Sequence, residues 1–95
     1  MATVELTRSA VEDLDALIHT LSLPADTKRR VARSLSILQR FPLAGPALGG
    51  RWEGFRFLLG PWRWLLLVYV YTEDDDRVVV VTVQDARSAP APGTS

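Results

Sequence analysis

Residues 62–87, WRWLLLVYVYTEDDDRVVVVTVQDAR, constrain this chain more than any other stretch. Two runs of aliphatic, β-branched and aromatic residues, 65–71 and 78–83, flank an acidic turn, with Arg63 and Arg87 near the open ends. Such runs favour strands, and a turn as short as TEDDD admits an antiparallel hairpin but not a parallel crossover. Neither run alternates cleanly between apolar and polar residues. A hairpin apolar on both faces needs cover on both, and a chain of 95 residues is expected to supply only one covering layer. The other is expected from a partner.

At this length a single domain is expected, spanning residues 1–88. Hydrophobic residues make up 47% of the chain, which suits either a dense two-layer core or apolar surface meant for another protein. There is no cysteine, which excludes disulfides, thiol catalysis and Cys-based zinc sites. The first residues, MATVELTRSAVEDLDALI, lack the basic start and apolar run of a secretory signal, and no apolar run approaches the ~20 residues of a membrane helix. A cytoplasmic protein without membrane contact is expected.

The formal net charge of zero conceals a segregation. Eight basic residues (Lys28, Arg29, Arg30, Arg33, Arg40, Arg51, Arg56 and Arg63) lie between positions 28 and 63, against one acid, Glu53. The acids gather instead at Glu12, Asp13 and Asp15 and in the turn 73–76. A local positive field of this kind attracts nucleic acid or an acidic partner. The zero balance argues against a protein that simply coats nucleic acid.

Residues 3–7 read as a short strand. Ser9 with Glu12 fits a capping box, opening a helix with Val11, Leu14, Leu17, Ile18 and Leu21 at helical spacing and Glu12, Asp13 and Asp15 turned outward. That helix should stop before Pro24. A second should start near 24–26 and run to Pro42, burying Val31, Leu35 and Leu38, joined by Ile37 and Phe41. After the Gly/Pro-rich loop 43–51, residues 52–59 read as a strand, followed by the hairpin. The expected fold is therefore α+β, ordered β-α-α-β-β-β, a helical hairpin packed on one face of a small antiparallel sheet. The tail 89–95 should be disordered.

Four segments carry a resemblance to the RelE/ParE superfamily of type II toxin–antitoxin toxins. VELTRSAVEDLDAL resembles its first strand and helix, LQRFPLAGPAL the end of its second helix, FRFLLGPWRWLLLVY its arginine-bearing middle strands, and DDDRVVVVTVQDARS its acidic turn and closing segment. The resemblance implies a growth inhibitor neutralised by a cognate antitoxin, an acidic and apolar segment that wraps the toxin. Trp62, Trp64, Tyr69 and Tyr71, with Arg33, Arg40 and Arg51, are the residues expected to meet a partner. Two activities are known in the superfamily: ribosome-dependent mRNA cleavage and poisoning of DNA gyrase.

Metal-independent RNA cleavage needs a base for the 2′-hydroxyl and cations for the charged phosphorane. Arg56, Arg63 and Arg87 are the candidate cations, and Glu53 or Asp85 the candidate bases. If facing residues of the hairpin sum to 148 or 150, Arg63 shares a face with Asp85 and Arg87; a one-residue slip reverses this. The alternative role for Asp85 is a salt bridge to Arg63 or Arg87. RelE-like nucleases place a lysine cluster, or a histidine, glutamate or tyrosine set, around this site. Here Asp85 stands where a histidine often precedes the closing arginine. The expectation therefore leans to a ParE-like, gyrase-directed toxin, with an mRNA endoribonuclease and a non-toxic interaction module of the same fold as alternatives. His19 stands alone and the acidic turn lacks the spacing of a calcium loop, so neither metal nor cofactor is expected.

Overall fold

A computed structural model describes residues 1–87. The elements are β1 (Thr3–Leu6), α1 (Arg8–Thr20), α2 (Thr27–Leu35), β2 (Arg56–Leu59), β3 (Leu65–Thr72) and β4 (Arg77–Asp85), with short 3₁₀ turns at Ser36–Gln39 and Gly50–Trp52. The expected tail 89–95 lies outside the described residues. The strands form one sheet in the order β1-β4-β3-β2. β2–β3 and β3–β4 are antiparallel, but β1 lies parallel to β4, so the sheet is mixed rather than wholly antiparallel.

The hairpin explains its own irregular pattern. Facing residues sum to 150 beside the open end (Leu65 with Asp85, Val68 with Thr82) and to 149 beside the turn (Tyr69 with Val80, Thr72 with Arg77). Val81 is the extra residue of a β-bulge. The bulge shifts the phase of β4, so Val78, Val80 and Val83 all enter the core although their spacing is uneven. They pack with Leu65, Leu67 and Tyr69 against Ala10 and Leu14 of α1 and Val31, Leu35 and Leu38 of the α2 segment.

Alternation turns Leu66 and Val68 to the opposite face, yet both are buried in the single chain, as is Leu48 of the loop before β2. The chain therefore covers Leu66 and Val68 on the second face itself, while Phe57, Val70 and Val79 on that face stay only half-buried.

Several helix boundaries also differ from expectation. α1 begins at Arg8, capped by Thr7, whose Oγ1 accepts a hydrogen bond from the Ala10 N–H (3.1 Å) and donates to the Val81 carbonyl (3.2 Å). Ser9 lies inside the helix, so the Ser9–Glu12 capping box does not form. Asp13 is not an outward residue: its Oδ2 accepts from Thr82 Oγ1 (2.7 Å) and from the Val83 N–H (3.2 Å). Thr7 and Asp13 thus serve the edge of β4 beyond Val80, where β1 has ended. The end of α1 closes as a Schellman turn, with Ser22 at φ 50° and the Leu23 N–H donating to the Ile18 carbonyl (3.0 Å).

α2 tightens to 3₁₀ geometry after Leu35 instead of running to Pro42. The hydroxyls of Ser34 and Ser36 donate back to the Arg30 and Arg33 carbonyls (3.1 and 2.6 Å), competing with the helix ladder at this point. Ile37 and Phe41, expected in the core, are consequently exposed. β2 is shorter than residues 52–59, because the chain first turns through Gly54 at φ 94°.

Candidate functional site

The open end of the hairpin gathers the chemistry. The Ala86 N–H donates to the Trp64 carbonyl (2.8 Å), extending the strand pairing by one step and bringing Arg87 beside Trp64. Asp85 faces Leu65 on the helix side of the sheet and its side chain is 5% exposed. Oδ1 of Asp85 accepts from the Arg87 backbone N–H (2.8 Å) and from Arg87 Nε (3.1 Å), and Oδ2 accepts from Nη2 (3.2 Å). These bonds, the side-chain ones foremost, hold the Asp85 carboxyl below the usual carboxylate range, against the opposing effect of burial.

Arg87 also stands over an aromatic ring. Its guanidinium carbon is 4.0 Å from the Trp64 ring centroid. Trp64 stacks on Trp62 with centroids 5.6 Å apart and planes 8° from parallel. Arg30 of α2 stands over the Trp62 ring, 6.0 Å from its centroid. Cation–π attraction at both ends and offset stacking between make a four-member ladder from the end of β4 to α2. Arg30 is oriented by Asp26 (Nε to Oδ2, 3.0 Å), and this bond lowers the Asp26 pKa. Beside the ladder, Asp26, Arg29, Arg30, Arg33, Ser34 and Pro61 line an open groove of about 460 Å³.

The other expected site residues do not converge here. Arg56 opens the edge strand β2 opposite Tyr69, about 13 Å along β3 from Leu65 at ~3.3 Å per residue. Its Nη1 donates to the carbonyls of Gly45 (2.8 Å) and Leu43 (3.3 Å), which makes it a clamp on the loop before β2. Tyr69, expected to meet a partner, is instead wholly buried; its Oη accepts from the Gly45 N–H (3.0 Å), and burial raises its pKa. Glu53 is exposed in the loop before β2. Arg63 sits exposed in the turn before β3 and forms no ion pair among the described residues.

Of the remaining expected contacts, Trp62 and Trp64 are half-buried within the ladder, Arg33 lines the arginine groove, and Arg51 is exposed in a 3₁₀ turn. Arg40 and Tyr71 border a second, apolar groove of about 730 Å³ with Phe41, Pro42 and Leu43. Phe41 (60% exposed) and Leu43 (57%) are the residues that sequence reasoning missed. The Phe-Pro-Leu run beside a Gly/Pro loop was the available signal, but helical spacing assigned Phe41 inward. Among the described residues no group of three or more His, Asp or Glu is placed to hold a metal ion. No helix among them is long and apolar enough to cross a membrane.

Asp85 is thus a buried acceptor with a lowered pKa, and Arg87 is held between its carboxylate and the Trp64 ring. The same arrangement of helical pair and sheet occurs in known toxins. A chain of the RelBE2 toxin–antitoxin complex of Mycobacterium tuberculosis matches with TM-score 0.67 at 24% identity, over 88% of this chain and 96% of that one. The chromosomal ParDE toxin–antitoxin system of P. aeruginosa gives 0.66 at 19% identity, over 90% and 96%. A YoeB/ParE toxin of Agrobacterium tumefaciens gives 0.68 at 18% identity, over 87% and 96%. At these identities the likeness establishes the fold. No curated protein sequence matches the chain. The family described as "ParE toxin of type II toxin-antitoxin system, parDE" matches residues 4–90, nearly the whole sequence. With both the fold and the sequence pattern in agreement, the chain belongs to the ParE toxin family of type II toxin–antitoxin systems.

Proposed function

We propose that this toxin inhibits growth by binding DNA gyrase rather than by cutting mRNA. One observation carries the reading: the acid at the open end is engaged by Arg87 through three hydrogen bonds, with its pKa lowered. A general base works best with a pKa near the operating pH, and a carboxylate stabilised in its charged form is a poor one. Arg56 adds support, since it holds the Leu43–Gly45 loop instead of facing the open end. The match to the ParE family favours the same side of the superfamily. The nuclease reading retains one argument, the presence of Arg63 and Arg87 as exposed cations at one end of the sheet.

The cognate antitoxin is proposed to seat apolar side chains in the Phe41–Leu43–Tyr71 groove, with an acidic residue near Arg40. Expression without the antitoxin tests the functional reading. Growth arrest with accumulating gyrase–DNA cleavage complexes and intact mRNA is the expected outcome. Codon-boundary mRNA cuts that vanish in Arg63→Ala and Arg87→Ala variants would establish the nuclease instead. Unimpaired growth would reduce the chain to an interaction module.

A further inference from the structure

We infer that the groove between α2 and the β2–β3 turn is a contact for the phosphodiester backbone of a nucleic acid. The basic residues of α2 divide by side. Lys28 turns to α1 and pairs with Asp15 (2.7 Å), whereas Arg29, Arg30 and Arg33 all line the groove. Arg30 is matched by Asp26. Arg29 and Arg33 have no acidic partner within 4.0 Å among the described residues, although they stand one helical turn apart and repel each other. An anion seated between them relieves that repulsion, and the planar guanidinium fork fits phosphate oxygens.

The lining decides which kind of anion fits. Asp26, Ser34 and Pro61 complete the groove, so it offers no large apolar side chain on which a peptide could anchor. The Phe41–Leu43–Tyr71 groove has the opposite character and suits a protein segment. A ligand with repeated charge and no apolar anchor matches the first, and a nucleic-acid backbone has that chemistry. The groove adjoins Arg30, the start of the ladder that ends at Arg87, so the contact continues toward the open end of the sheet. Overall neutrality does not oppose this, because the acids lie on α1 and in the β3–β4 turn. It does limit the contact to one part of a larger docking. The inference deepens the gyrase reading, on which it rests only for the identity of the nucleic acid.

The test is an anisotropy titration of the full chain, released from its antitoxin, against labelled duplex DNA, single-stranded RNA and poly-glutamate. With three phosphates neutralised, duplex affinity should fall about 40-fold between 50 and 200 mM salt, and only about 4-fold in the Arg29→Ala/Arg33→Ala variant. The Arg29→Lys/Arg33→Lys variant should keep most of the wild-type slope, and thermal melts close to the wild type in both variants show that they fold. An unaltered salt slope in the alanine variant, or poly-glutamate binding with the same loss on mutation, would overturn the inference. Preference for RNA over duplex would retain the groove and overturn the gyrase reading. Preference for duplex supports both.

Discussion

Asp85 is nearly inaccessible to solvent yet ionised, and Arg87 is what makes this tolerable. Because folding lowers its pKa, the stability it contributes is fully present above the unfolded value of about 3.9 and is lost as pH falls through the lower folded value. Asp85→Asn should therefore melt at a lower temperature near neutrality and lose less on acidification than the wild type, as paired thermal melts would record. A second residue-level constraint lies at Gly45. A methyl group there would overlap the Phe57 carbonyl oxygen and crowd the Tyr69 hydroxyl, whose bond fixes the loop. Gly45→Ala is expected to destabilise by about 1–3 kcal/mol, measured by chemical denaturation, since neither backbone nor buried tyrosine can yield cheaply.

Among the elements, the strands were the most legible in sequence and the helix ends the least. β-branched and aromatic runs located β3 and β4 to within two residues at each end, because a buried strand needs little beyond apolar side chains. The bulge at Val81 was hidden, since four consecutive valines carry no polarity to mark a change of phase. The cap of α1 was misplaced for a different reason. Thr7 and Ser9 are equivalent hydroxyls by local rules, and Thr7 prevails because its Oγ1 also reaches the Val81 carbonyl, 74 positions away. Thr7→Ala should cost about 1–2 kcal/mol and Ser9→Ala a few tenths at most, a contrast that denaturant midpoints will resolve. In the same way the Asp85–Arg87 pair was readable from its short spacing. The ladder through Trp62 was not, because Arg30 joins it from a different layer.

For the molecule as a whole, chain economy places two unlike grooves on a very small body. The arginine groove runs along α2 from Asp26 to Ser34, while Phe41 and Leu43 follow the point where that helix gives way. Phe41→Asp combined with Leu43→Asp should weaken antitoxin binding at least ~10-fold, the loss expected when interface anchors are removed. Its melting temperature should stay close to the wild type, because neither side chain supports the core. Calorimetric titration with the antitoxin would read the first effect and a thermal melt the second.

The paired indoles at the open end also make the protein its own optical reporter. Two of its three tryptophans lie nearly parallel and within coupling distance, each capped by a cation, while Trp52 stands apart against Phe55. Any ligand that draws Arg30 or Arg87 away from the rings alters the field around those two chromophores and leaves the third as a steady background. Emission from the native chain thus carries a record of docking at this end without any added label.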